Sequence, residues 1–308
     1  MNITDRVVQV RVPGTSANCG AGFDCIGVAC SIYNELSLRL LTEDRLDIEI
    51  EGEGADSIPR DQRNIVWRAV KCLLRWSGNE KNVHGAEIYM KNAVPISSGL
   101  GSSAAAIVSG LTASNILLGN PYTKWNLLQT AVSIEGHPDN VAPAIYGGFT
   151  VSIVTDTGKT QSIGFMPNMN LKMVVVMPDR MLSTRKAREV LPDDVPRRDA
   201  IYNVSRAAFL VAALCKGQRN FIKYAVGDKL HQQYREKLLP EMRTVIEEAE
   251  KHGAMGAFLS GAGPCIMALT SRNTDEIGKA MADVFHRNGT DARYRVLDID
   301  RNGACEIK

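Results

Sequence analysis

The chain has 308 residues, 44% of them hydrophobic and 23% charged, with 36 basic against 34 acidic side chains. Such a composition is that of a globular protein of about two domains, and it excludes a disordered chain, a collagen and a coiled coil. A net charge of +2 argues against a dedicated nucleic-acid binder, which needs a strong basic excess to neutralise phosphates.

Taken in chain order, residues 7–12 read as a strand, and 46–50 alternates apolar with acidic side chains as a half-exposed strand does. Residues 64–76 have helical spacing, with Ile65, Ala69, Cys72 and Leu73 on one face. Residues 86–90 alternate again. The Ala- and Leu-rich run 102–118 predicts a buried helix closed by Gly119-Asn120-Pro121, and 125–135 a second helix stopped at Gly136. Residues 149–154 are β-rich. The polar stretch 158–170 marks a boundary between an N-terminal domain, 1–165, and a C-terminal one, 166–308. Beyond it, 171–177 reads as a strand, 200–215, 221–226 and 240–252 as helices, 257–259 and 266–269 as strands around a Gly-rich turn, 274–286 as a helix and 292–298 as a last strand. The order is mixed, an α+β class rather than strict βαβ alternation.

No apolar run reaches the roughly 18 residues that span a bilayer, and residues 1–6 carry no apolar signal core, so a cytoplasmic protein without a membrane partner is expected. The seven cysteines form no C-x-x-C pair and the five histidines no H-E-x-x-H, which predicts free thiols rather than disulfides or zinc.

The strongest local signal is Pro95-Ile96-Ser97-Ser98-Gly99-Leu100-Gly101-Ser102-Ser103-Ala104-Ala105, placed between a strand and a helix. Its glycines let the backbone approach a ligand. The amides of a first helical turn have no partner within the helix, so they are free to meet an anion. The physical reading is a phosphate cradle, and the alternative is a flexible turn followed by a helix capped by Ser102. No lysine follows the glycines, so this is not the G-x-x-x-x-G-K-[ST] loop.

This run resembles the phosphate loop of the GHMP kinases, P-x-x-x-G-L-G-S-S-A-A, at every fixed position. Two other segments resemble homoserine kinases within that superfamily: the N-terminal run from Val12-Pro13-Gly14-Thr15-Ser16-Ala17-Asn18 to Phe23-Asp24, and Glu135-Gly136-His137-Pro138-Asp139-Asn140. Ser260-Gly261-Ala262-Gly263-Pro264 is similar to the third GHMP motif. The motifs stand in family order over about residues 7–270, with Gly14, Cys19 and Ala21 where Ala, Leu and Pro are usual.

The resemblance implies a two-domain fold, an N-terminal part like ribosomal protein S5 domain 2 and a ferredoxin-like C-terminal part. It implies ATP- and Mg2+-dependent phosphorylation of L-homoserine to O-phospho-L-homoserine, in threonine biosynthesis. Ser103 and Glu135 become the expected magnesium ligands, and the loop 95–105 the phosphate cradle. Asn18 and Asp24 are expected at the substrate ammonium. Arg188 and Arg235, as planar forks, are expected at its carboxylate. His137, Asn140 and Thr184 match other substrate-side positions. Asn140 is expected to hold the hydroxyl and, with Arg188, to act in catalysis. Asp139 is expected either as a base or as a bystander to direct proton transfer. Asn64 is either an adenine contact or a helix cap. Other GHMP acceptors, such as mevalonate or a sugar, and a regulator that has lost catalysis are the rival readings. The oligomeric state stays open, a homodimer included.

Overall fold

A computed structural model describes residues 4 and 6–307; the rest of the 1–6 stretch lies outside the described residues. The first half comprises β1 (Val7–Ala17), β2 (Ile26–Leu41), β3 (Leu46–Gly52), α1 (Ile65–Trp76), β4 (Gly85–Asn92), α2 (Ser102–Leu117), α3 (Lys124–Glu135), α4 (Pro138–Tyr146), β5 (Phe149–Val154) and β6 (Thr160–Phe165). β2 is the hub, pairing antiparallel with β1, β4 and β5. β3 is parallel to β4 at one edge, and β6 extends β5. Pro13 is tolerated inside β1 because the register with β2 shifts between Pro13 and Gly14, a bulge where no ladder donor is needed.

Two elements depart from the sequence expectation. β2 was not anticipated: residues 26–30 are buried on both faces, and only the later part alternates, so no single period runs through the strand. β6 forms within the stretch expected as a polar boundary. It is an edge strand paired on one side only, and it buries Thr160 while exposing Ile163, the reverse of the usual apolar-in, polar-out signal.

α2 packs behind this sheet and is buried on nearly every side from Ala104 to Leu117, as an all-round apolar helix must be. Gly110 lets α1 approach: a Cβ there would meet the Val66 carbonyl at 2.7 Å. α3 and α4 complete the layer with Leu128, Ala131, Val141 and Ile145.

The second half comprises β7 (Lys172–Pro178), α5 (Thr184–Glu189), α6 (Arg197–Lys216), α7 (Ile222–Ala225), α8 (Gln232–Arg235), α9 (Met242–Lys251), β8 (Gly256–Leu259), β9 (Ile266–Thr270), α10 (Thr274–Arg287) and β10 (Ala292–Leu297). The sheet order is β10-β7-β9-β8, all antiparallel, with α9 and α10 packed on one face. This is the β-α-β-β-α-β arrangement of ferredoxin-like domains. Along β7 the side chains alternate: Val174 and Val176 meet α9 and α10, while Met173, Val175 and Met177 join a core shared with Ile26, Val28 and Phe149 of the first half.

The chain does not end in the second half. β11 (Cys305–Glu306) pairs with β1, and Asp300 bonds to Ala29 and Gly148 through its backbone. Residues 299–307, whose short extended pieces carry no periodic signal, thus lie against the first sheet although they follow the second in the chain. All seven cysteines are free. Among the described residues no helix is long and apolar enough to cross a membrane.

Candidate active site

Three loops meet between the two sheets. The first follows β1, where Asn18, Cys19 and Asp24 take left-handed conformations at φ 70°, 45° and 54°. Asn18 braces this turn: its Nδ2 donates to the Gly261 carbonyl at 3.0 Å and its Oδ1 accepts from the Asp24 amide at 3.1 Å. Both ends of the Asn18 amide thus hold the loop, and Asn18 and Asp24 both border the cavity described below.

The second loop is the glycine-serine run. Gly99 and Gly101 have φ of 87° and 68°. A Cβ on Gly99 would lie 2.1 Å from the Ser260 carbonyl, and one on Gly101 2.0 Å from Thr15 Oγ1. The loop is therefore pressed against both neighbouring loops. α2 begins at Ser102 with Gly101 as its N-cap and no side-chain acceptor on its first turn. This corrects the alternative in which Ser102 caps the helix. Ala105 makes the first intrahelical bond, to Gly101 at 2.9 Å, so the amides of residues 102–104 stay free at a positive helix end.

The third loop, residues 260–265, joins β8 to β9. Ser260 Oγ donates to the Gly99 carbonyl at 2.7 Å and sits 2.8 Å from Ser16 Oγ. The Cys265 amide donates to the Ser98 carbonyl at 3.0 Å.

Together the loops enclose a cavity of about 150 Å³ lined by Asn18, Asp24, Ser97, Ser98, Gly99, Gly101, Ser102, Ser103, Glu135, His137, Asp139, Asn140, Thr184, Arg188 and Arg235. Ser103 Oγ donates to Glu135 Oε2 at 2.8 Å, although 32 residues separate them. Glu135 is the last residue of α3, and Gly136 at φ 95° turns the chain away behind it. His137 occupies the N-cap position of α4 but makes no cap bond; its Nδ1 lies 2.6 Å from Asp139 Oδ1. Burial draws the His137 pKa down, but the Asp139 bond and the charges of Asp139, Glu135 and Asp24 outweigh it and leave the pKa raised. Asn140 accepts from Thr15 Oγ1 at 2.8 Å, which orients its amide and leaves Nδ2 for the cavity.

Arg188, on α5, grips Asp24 with two bonds at 3.1 and 2.8 Å. Arg235, on α8, is almost fully buried, donating to the Ala187 and Gly261 carbonyls at 3.1 and 2.9 Å. Burial and the Arg188 charge lower its pKa to about 10, so it remains charged at neutral pH. Both guanidinium groups flank the Phe23 ring, at 5.7 and 5.5 Å.

Some expected residues lie elsewhere. Leu100, Ala104 and Ala105 are core side chains with no exposure. Pro95 and Ile96 line a neighbouring groove with residues 52–57. Asn64 is completely buried: Oδ1 caps α1 at Val66 and Trp67, and Nδ2 donates to the Pro59 carbonyl at 2.7 Å. Of its two readings, the cap is the one its hydrogen bonds realise. Sequence reasoning missed Thr15, Ser16, Phe23 and His231 as members of the site. The first three sat inside a recognised motif, and His231 stands four residues before Arg235.

Two family models match, GHMP kinases N terminal domain at residues 64–148 and GHMP kinases C terminal at 210–287. A homoserine kinase of Carboxydothermus hydrogenoformans is 42% identical over 301 residues, 98% of this chain and 97% of the relative. One from Caldanaerobacter subterraneus is 40% identical over 303 residues, 98% and 96% of the two chains. The chain belongs to the homoserine kinases of the GHMP kinase superfamily. The crystal structure of homoserine kinase from Cytophaga hutchinsonii superposes with a TM-score of 0.89 at 30% identity, covering 98% of this chain and 97% of that one. Membership in the homoserine kinases implies use of ATP, and the two-domain GHMP fold accounts for the cleft between the sheets.

Proposed function

We propose that this cleft transfers the γ-phosphoryl group of ATP to the side-chain hydroxyl of L-homoserine, giving the O-phospho-L-homoserine consumed in threonine biosynthesis. One observation carries the reading: free helix amides, an oxygen-only pair and a matched set of two arginines and Asp24 all border the same cavity.

The amides of residues 102–104 receive phosphate oxygens at the positive end of α2. Ser103 and Glu135 would hold a magnesium ion; hard oxygen donors beside a phosphate cradle suit it. When bound, that ion neutralises charge on the phosphates. The amino-acid end of the substrate replaces an ion pair. In the free cleft Asp24 and Arg188 satisfy each other. A zwitterion entering between them gives its ammonium to Asp24 and its carboxylate to Arg188 and Arg235, so each charge of the substrate meets its opposite. Thr184, opening α5 beside Arg188, supplies a hydroxyl on the same side.

Asn140 Nδ2 orients the acceptor hydroxyl. Phosphoryl transfer passes through a loose transition state in most analyses, so positioning and charge stabilisation supply most of the rate and no strong base is required. Asp139 is bound to His137, which fits an orienting role for the pair better than proton abstraction.

The test is an ADP-release assay with MgATP and L-homoserine, L-serine, L-threonine or mevalonate. Saturable turnover with L-homoserine alone is expected. Equal turnover with mevalonate, or none with any acceptor in a folded ATP-binding protein, overturns the reading.

A further inference from the structure

We propose that His231 is a positioning residue for the substrate carboxylate: a neutral imidazole whose bare Nδ1 fixes the rotation of the Arg235 guanidinium. The inference rests on Arg235 as a carboxylate donor and adds the group that aims it.

His231 has no solvent exposure. Its Nε2 lies 2.9 Å from the Gly20 carbonyl. A carbonyl only accepts, so Nε2 carries the hydrogen. In a neutral ring Nδ1 is then an acceptor, and Arg235 Nη1 lies 3.2 Å from it. The same Nη1 donates to Gly261, and Nε donates to Ala187. Three fixed acceptors thus set the guanidinium plane, and Nη2 is left without a protein partner among the described residues. Arg235 borders the cavity, so that nitrogen is the one available to a ligand.

The surroundings keep the ring neutral. Burial lowers the pKa of His231, and the Arg235 charge adds to this; Asp228, whose Oδ2 lies 3.7 Å from Nε2, the Gly20 bond and the Asp24 charge oppose it without reversing the direction. Asp228 is occupied by Asn203 and by the amides of Leu230, His231 and Gln232. Phe23 stacks on the imidazole at 5.2 Å between centroids. An imidazolium would present a proton to Arg235 instead of a lone pair, and the fork would lose its anchor.

The experiment compares His231→Asn, His231→Gln and His231→Leu, each checked for folding by circular dichroism. Asn carries an acceptor near the Nδ1 position. Gln reaches Gly20 but offers nothing to Arg235. Two quantities are read: KM for L-homoserine against KM for ATP, and the preference for L-homoserine over its carboxamide. For Gln and Leu, KM for homoserine is expected to rise about tenfold, with the KM for ATP within about twofold, and the preference for the carboxylate is expected to collapse. Asn should retain both. If Leu does not fold, the contrast of Asn with Gln decides. An equal rise in both KM values with the carboxylate preference intact overturns the proposal and leaves His231 structural. Arg235→Met separates the two layers. If Arg235→Met leaves carboxylate preference unchanged, the Arg235 reading itself fails. If it abolishes the preference and His231→Gln does not, only the positioning role fails.

Discussion

Glu135 ends a helix, where the dipole disfavours its charge, and Ser103 begins one, where the hydroxyl has no helical partner. Each is out of place alone, and their bond across 32 residues is the observation on which the proposed magnesium site rests. Ser103→Ala and Glu135→Gln should each lower kcat/KM by about 10²-fold and raise the magnesium concentration needed for half-maximal rate. Because both side chains are solvent-accessible, Tm should hardly move; a large loss of Tm at normal turnover would count against the metal role. The His137–Asp139 pair makes a different statement. The folded pKa of His137 is raised, so its contribution to stability is fully present below the ordinary histidine value near 6.5 and is lost as pH climbs through the raised value. Asp139→Asn should therefore cost more Tm at pH 6 than at pH 8.5. Turnover should fall about tenfold, far less than removal of an essential base; a loss above about 10³-fold would restore Asp139 as the base.

The elements show which sequence signals survive folding. The glycine-serine loop was legible because its glycines are demanded twice, by positive φ and by contact: Gly101→Ala puts a methyl 2.0 Å from Thr15 Oγ1 and a left-handed alanine at the mouth of α2. It should lose at least about 1–2 kcal/mol from the left-handed conformation alone, and Asn140, held by Thr15, should be displaced with it. Denaturant midpoints and kcat measured together test both. α1 was legible for a similar reason, since Asn64 caps a run of helical period. Asn64→Ala should cost about 1 kcal/mol as a lost cap, with the KM for ATP unchanged; a raised KM at full stability would return the residue to the adenine site. β2 and β6 were not legible. The first changes from two-sided to one-sided burial along its length, and the second is an edge strand that buries Thr160 and exposes Ile163, against the usual alternation. At the site, residue types were readable from the motifs, but their pairings were not. Asp24 with Arg188, Thr15 with Asn140 and His231 with Arg235 are set by packing between loops.

At the scale of the molecule, the two sheets are tied in two ways. One is the shared core, where Ile26, Val28 and Phe149 meet Met173, Val175, Phe258 and Met267. The other is the returning tail. Asp300 accepts from Tyr33 Oη at 3.1 Å and from the amides of Asn302 and Gly303 at 3.0 and 2.7 Å, while its own backbone bonds to Ala29 and Gly148. Burial and the Asp300 charge push the Tyr33 phenol up to about 12, so the hydroxyl remains a donor throughout the neutral range. Chains of this length commonly unfold through intermediates. Here the ties oppose that, because neither half can separate without exposing the common core. All three tryptophans, Trp67, Trp76 and Trp125, lie in the first half, so their fluorescence reports that half alone, whereas far-ultraviolet circular dichroism reports both. The two unfolding curves in denaturant should coincide for the unaltered protein. Asp300→Ala leaves two backbone amides and a phenol without their acceptor, and should cost about 3 kcal/mol. It should also advance the tryptophan transition ahead of the dichroism, because the tail lies on the first sheet while the second keeps its own helices. Coincident curves in both proteins, with a loss below about 1 kcal/mol, would mean that the tail is only laid on the surface and that the shared core alone holds the halves together.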